Sequence, residues 1–220
     1  MSMPPLRAVL LDAVGTTIHL REPVGATYAR VAGGGDPAAL QRAFGAALRS
    51  RPPMVFGELD GVAVRAAERE WWRALVESVF AAAGATLPEG AFARLWDHYA
   101  GADAWQAAPG AHALLRGLRQ RSLRTGMVSN FDHRLDAVLA ALDLKALLDV
   151  VVLPSHAGAA KPDARIFHLA VAMLGIEPAE ALYVGDDAED DIAGAGAAGL
   201  RVVDVAGLTD LTQLLAECGA

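Results

Sequence analysis

The chain has a single cysteine, Cys218, among 220 residues. One thiol excludes an intramolecular disulfide framework and a cysteine-built zinc cluster. Lysine is nearly as scarce, since Lys145 and Lys161 are the only two of nineteen basic residues that are not arginine. Any chemistry that needs an ammonium group therefore has two candidates. No basic stripe dominates a segment, and the formal net charge is −7, which argues against a nucleic-acid partner. Arg, Asp, Glu or Gly interrupts each apolar run before it reaches the length of a membrane span, so no membrane association is expected. The opening Met-Ser-Met-Pro-Pro carries neither a charged leader nor a cleavable apolar stretch, and the expected location is cytoplasmic. Oligomeric state has no signature in the chain.

What is present is a chain that is 54% apolar, long enough to bury a substantial core. Its organising stretch is Leu6–Thr17. The apolar run Ala8–Leu11 ends abruptly at Asp12, and Gly15-Thr16-Thr17 follow. Such a run reads as a buried strand of a parallel sheet. A carboxylate at its C-terminal end would stand in the crevice where open α/β sheets bind ligands. On these residues alone, a strand closed by an Asp-Gly turn is an equal reading.

Helical patterns fill the next ninety or so residues. Pro23 opens a helix through Tyr28 and Val31 that Gly33-Gly34-Gly35 breaks, and Asp36-Pro37 supplies an N-cap with proline at the first helical position. A loop runs from Pro52 to Gly61, followed by a long helix over roughly Val62–Ala83 and another over Pro88–Tyr99. No strand pattern occurs here. The Trp71-Trp72 pair, at helical spacing, reads as packing rather than a ligand platform. From Trp105 strands and helices alternate. The expected strands are Leu123–Val128, Val150–Leu153, Leu182–Val184 and Leu200–Val203. The expected helices run through Leu114–Leu118, Arg134–Leu142, Ile166–Leu174, Ile192–Ala198 and Leu208–Glu217. That alternation predicts a doubly wound parallel sheet with helices on both faces. Polar signatures fall where strands end: Asp12, Ser129-Asn130 and Gly185-Asp186, with Lys161 in the loop beyond another strand.

Four segments, Asp12-Ala13-Val14-Gly15-Thr16, Ser129-Asn130, Lys161-Pro162-Asp163 and Gly185-Asp186-Asp187 through Asp191, together resemble the haloacid dehalogenase superfamily with a helical cap. Arg21-Glu22-Pro23-Val24-Gly25, Trp71-Trp72, Ser129-Asn130-Phe131-Asp132 and Lys161 through Phe167 are similar to its haloacid dehalogenase-like hydrolase domain-containing protein 3 type. The resemblance implies a Rossmann-like core over residues 1–16 and 106–220, with an α-helical cap over 17–105. It implies a catalytic set of Asp12, Thr16, Ser129, Asn130 and Lys161, with Asp12 as nucleophile in an aspartyl-ester mechanism. It also implies a Mg²⁺ site built from Asp12, the backbone carbonyl of Val14 and Asp186, with Asp191 in support. Asp187 is read equally as a ligand or as a helix N-cap. The expected substrate is a small phosphorylated molecule.

One position departs from the phosphatase pattern. Members that hydrolyse phosphate esters carry an acid/base Asp two residues after the nucleophile, and here that residue is Val14, which carries no proton. Loss of such help costs on the order of 10²–10⁴-fold. A 2-haloacid dehalogenase accommodates Val14, because halide leaves without a proton, but such enzymes need no metal and typically carry serine where this chain has Asp186. A phosphonoacetaldehyde hydrolase needs a cap lysine, and no lysine occurs between Thr17 and Trp105. A Mg²⁺-binding protein with little or no turnover is the remaining alternative. His19 and Asp132 are the other candidate proton carriers.

Overall fold

A computed structural model describes residues 4–57, 59 and 61–218. The readings made for Met1–Met3, and for Glu58 and Asp60 in the loop before Gly61, lie outside the described residues. The chain divides into two compact units, Met1–His19 with Ala107–Ala220, and Leu20–Gln106.

In the first unit five parallel strands form one sheet: β1 (Ala8–Leu11), β4 (Arg124–Val128), β5 (Val150–Val152), β6 (Ala181–Gly185) and β7 (Arg201–Asp204), in the order β5-β4-β1-β6-β7. β2 (Ile18–Leu20) and β3 (Trp105–Ala107) pair separately as a two-stranded ribbon where the chain passes between the units. The order places β1 at the centre, with later strands added first on one side and then on the other. The reversal makes the C-terminal end of β1 the topological switch point, where such sheets bind ligands. Register aligns the neighbouring ends, for Leu11 stands opposite both Met127 and Val184. Asp12, Ser129 and Asp186 therefore emerge from three adjacent strands at one edge.

The sheet is sandwiched because its strands are apolar on both sides. Leu10, Val128, Val152 and Tyr183 meet α8 (Ala164–Leu174) through Ile166, Phe167, Ala170 and Val171, all buried. Strand alternation turns Val9 and Leu11 to the other face, where β4 meets α5 (Ala111–Gln120). The buried apolar side of α5 is Leu114, Leu115 and Leu118. α6 (Leu135–Ala141), α7 (Pro154–Ala157), α9 (Gly194–Ala197) and α10 (Leu214–Glu217) complete the unit.

The second unit is helical, with α1 (Val24–Ala32), α2 (Pro37–Ser50), α3 (Gly61–Ala82) and α4 (Ala91–Ala100). Its core gathers on Tyr28, stacked on Phe80 at 5.8 Å and met edge-on by Phe44 at 6.0 Å. The Asp36 carboxylate accepts the Ala38 and Ala39 N–H groups, a cap worth about 1 kcal/mol to α2. Trp71 donates to the Pro52 carbonyl at 2.9 Å and stands edge-on to Trp72. Among the described residues no helix is long and apolar enough to cross a membrane.

Three expectations need correction. The stretch after Thr17 does contain a strand, β2. Its three residues are too few for periodicity to register, and its partner lies far along the chain. The expected helix over Ile192–Ala198 begins earlier, as a π-helical turn over Ala188–Ala193 that runs into α9. The expected helix over Leu208–Glu217 starts only at Leu211, as a 3₁₀ turn over Leu211–Gln213 that runs into α10, because the Asp210 carboxylate accepts the Thr212 N–H and sets the start there.

Candidate active site

At the sheet's C-terminal edge, Asp12 and Lys161 are both buried, and Lys161 Nζ donates to Asp12 Oδ1 at 2.6 Å. The same ammonium donates to Asp191 Oδ1 at 2.6 Å. Asp12, Asp186 and Asp191 each offer a carboxylate oxygen, all within 4.8 Å of one another. Three carboxylates thus face one ammonium. The surplus negative charge and hard oxygen donors suit a divalent cation such as Mg²⁺.

Local sequence explains this convergence. Gly15 has φ +100°, and a Cβ there would lie 2.4 Å from Asp186 Oδ2. Only glycine admits both that conformation and that approach. Thr16 donates to Asp186 Oδ1 at 2.9 Å, and Thr17 to the Asp12 carbonyl at 2.6 Å. On the other side, the offset of five residues from Asp186 to Asp191 is that of a π-helical turn, a local form frequent at functional sites. It lets Asp191 Oδ2 accept the N–H groups of Asp186 and Asp187, each at 3.2 Å. Asp191 therefore braces the loop that carries Asp186. Asp187 stands outside the three-carboxylate group and caps the turn, accepting Glu189 and Asp190 N–H groups at 2.9 and 2.8 Å.

Asn130 works on the backbone of the Lys161 loop. It donates to the Lys161 carbonyl at 3.0 Å and accepts the Lys161 N–H at 2.8 Å, and it also reaches Asp190 Oδ2 at 3.2 Å. Replacing it by alanine leaves two part-buried backbone groups without a partner. Asn130→Ala is expected to lower unfolding free energy by about 1–3 kcal/mol, read by denaturant titration. Ser129 is buried beside it and its Oγ accepts the Phe131 N–H at 3.3 Å.

Burial pushes the Asp12 carboxyl up to about 6; Lys161 pulls against that rise and Asp191 adds to it. Burial on its own would depress the Lys161 ammonium, but Asp12 and Asp191 outweigh it and hold its pKa above the ordinary value. Lys161 is therefore charged at neutral pH.

Val14 lies on the loop beyond β1, bridged to Ile18 and 39% exposed. Neither of the other two proton carriers considered belongs to the three-carboxylate group. Asp132 is buried and bound by its neighbour Arg134, Oδ1 to Nε at 2.8 Å and Oδ2 to Nη2 at 2.6 Å. His19 lies on β2. Sequence reasoning missed Tyr183, whose buried hydroxyl lies 2.9 Å from Asp191 Oδ1 and 3.3 Å from Lys161 Nζ. Its one signal is a polar tip inside the apolar strand before Gly185, and that signal does not distinguish it from a core tyrosine.

Comparison with known proteins agrees with this architecture. Residues 6–199 match the haloacid dehalogenase-like hydrolase family. Haloacid dehalogenase-like hydrolase domain-containing protein 3 of Bos taurus is 34% identical over 215 residues, covering 92% of this chain and 82% of that protein. Among solved structures, a HAD phosphatase from Thermococcus onnurineus superposes with a TM-score of 0.64 at 22% identity, covering 97% of this chain and 98% of the other. The L-2-haloacid dehalogenase from Xanthobacter autotrophicus gives 0.68 at 22% identity, covering 98% and 84%. Likeness at that identity speaks to the fold; the chemistry has to be argued from the side chains.

Proposed function

Because the chain belongs to the haloacid dehalogenase-like hydrolase family, we propose that it is a Mg²⁺-dependent phosphatase that acts through an aspartyl-phosphate on a small phosphorylated molecule. The observation that carries this reading is the third carboxylate. Asp186 stands within 4.8 Å of Asp12 and Asp191, and Lys161 alone does not balance the group. A metal-free dehalogenase gains nothing from such a carboxylate, whose charge repels an anionic substrate.

Asp12 and Asp186 would hold the ion, with Asp191 and the Val14 carbonyl in support. When bound it supplies charge neutralisation for an incoming phosphate dianion. Lys161 grips Asp12 through Oδ1, which leaves Oδ2 to attack phosphorus. The P–O bond to the leaving group breaks as the carboxylate–phosphorus bond forms, and water later cleaves the acyl phosphate and restores Asp12. Ser129 and nearby main-chain N–H groups would hydrogen-bond the transferred group, while Thr16 holds Asp186 through its hydroxyl. In this reading the helical unit has the substrate-selecting role of a cap.

Val14 sets the substrate range. No carboxyl stands there to protonate a departing alkoxide, so substrates with good leaving groups, acyl and aryl phosphates, are preferred. Val14→Asp places a carboxyl on an exposed loop position. The substitution is expected to raise turnover of alkyl phosphates by about 10²-fold or more, with a much smaller gain for p-nitrophenyl phosphate. Comparison of kcat on the two substrate classes checks this, and the absence of a selective alkyl gain would sink the scheme.

A further inference from the structure

The hydrogen bonds of one ammonium account for all of its protons. Lys161 Nζ has three N–H donors. They meet three acceptors: Asp12 Oδ1 and Asp191 Oδ1, each at 2.6 Å, and the Tyr183 hydroxyl oxygen at 3.3 Å. Tyr183 is fully buried on β6, and its own proton faces Asp191 Oδ1 at 2.9 Å and the Val128 carbonyl at 3.1 Å. Val128 is the last residue of β4, directly before Ser129. Phe167 packs against the Tyr183 ring edge-to-face at 5.1 Å and fixes its plane.

We propose that Tyr183 is a positioning residue of this site: it takes the third proton of Lys161, so that the ammonium is held between Asp12 and Asp191. The hydrogen-bond cage stands on geometry alone, while its catalytic consequence rests on the phosphatase reading above. Lys161 then aims the Asp12 carboxylate, and the bound anion is met by Ser129 and main-chain donors, since the Thr16 hydroxyl proton goes to Asp186 Oδ1. The Tyr183 oxygen stands between ammonium and carboxylate, 3.3 Å from Lys161 Nζ and 2.9 Å from Asp191 Oδ1. A neutral hydroxyl can therefore accept from Lys161 and donate to Asp191 at once.

Tyr183→Phe keeps the ring and its packing but removes the oxygen. The chain has only two lysines, so labelling with lysine enriched in nitrogen-15 at Nζ gives at most two ammonium signals, and Lys145→Arg assigns them. Tyr183→Phe is expected to speed hydrogen exchange at Lys161 Nζ about fivefold, the effect of one lost hydrogen bond. It is also expected to lower kcat on p-nitrophenyl phosphate about tenfold while KM stays within about twofold. Exchange at Lys161 that does not change, or a loss carried by KM instead of kcat, overturns the proposal. A wild-type protein that releases no phosphate, with exchange still faster in the variant, supports the cage and overturns the phosphatase reading instead.

Discussion

Asp12→Asn is expected to reduce Mg²⁺-dependent phosphate release from p-nitrophenyl phosphate by about 10⁴-fold or more, because an amide oxygen does not form the aspartyl ester. The fold should survive, and the sign of the stability change is informative. In the metal-free protein the Asp12 carboxyl is raised by burial to about 6, above the ordinary value of 3.8. A group raised on folding stabilises most below its unfolded pKa, and that contribution is lost as pH rises through the folded value. Ionised Asp12 thus burdens the native state at pH 7.5, whereas Asn carries no such charge and leaves Lys161 paired with Asp191 at 2.6 Å. Asp12→Asn should therefore unfold at a denaturant concentration equal to or above that of the wild type at pH 7.5, with its advantage shrinking as pH falls from 6 towards 4. Denaturation curves at three pH values check this. A variant markedly less stable at pH 7.5 would mean that Asp12 is there for the fold.

Lys161→Met carries the second large effect. Methionine matches the lysine stem in length but removes the charge that two buried carboxylates share. Breaking a buried ion pair by removing one partner costs about 3–5 kcal/mol, and here both Asp12 and Asp191 lose theirs. The variant should unfold at far lower denaturant at pH 7.5. Without the ammonium, which pulls the Asp12 pKa down, that carboxyl moves higher still, so the native state binds more protons than the unfolded one and stability returns as pH falls towards 5. Activity should drop by about 10²-fold or more, since Asp12 is no longer aimed. A variant as stable as the wild type at pH 7.5 would contradict the charge arrangement inferred here.

Much of the core unit was legible because its strands are short apolar runs ending in polar residues. Ala8–Leu11 was readable to its ends, and Arg124–Val128 and Ala181–Gly185 to within a residue at each end. The strand order was not legible, since alternation of strands and helices says nothing of which strand sits beside β1. The group Asp12, Lys161, Asp186 and Asp191 came from three segments that look unrelated along the chain, and only their resemblance to a family joined them. What escaped were interactions whose partners are remote in sequence. β2 and β3 pair across some eighty-five residues, and three-residue strands leave no period to detect. Tyr183 sits in a strand whose other residues are buried hydrophobes and glycine, so its hydroxyl gains meaning only when Lys161 arrives from the loop before α8. The π-helical turn was hidden for another reason. Glu189 and Asp190 read as charges favouring a helix start, whereas Asp187 caps the turn and Asp191 folds back onto its own loop.

The central claim is that Asp186 converts this site from a metal-free carboxylate nucleophile into a Mg²⁺-dependent one. The direct measurement sets p-nitrophenyl phosphate and 2-chloropropionate side by side, each with chelator and with added Mg²⁺. Phosphate release that appears with Mg²⁺ and disappears with chelator, with no chloride released under either condition, is the expected result. Chloride release in the presence of chelator would contradict it.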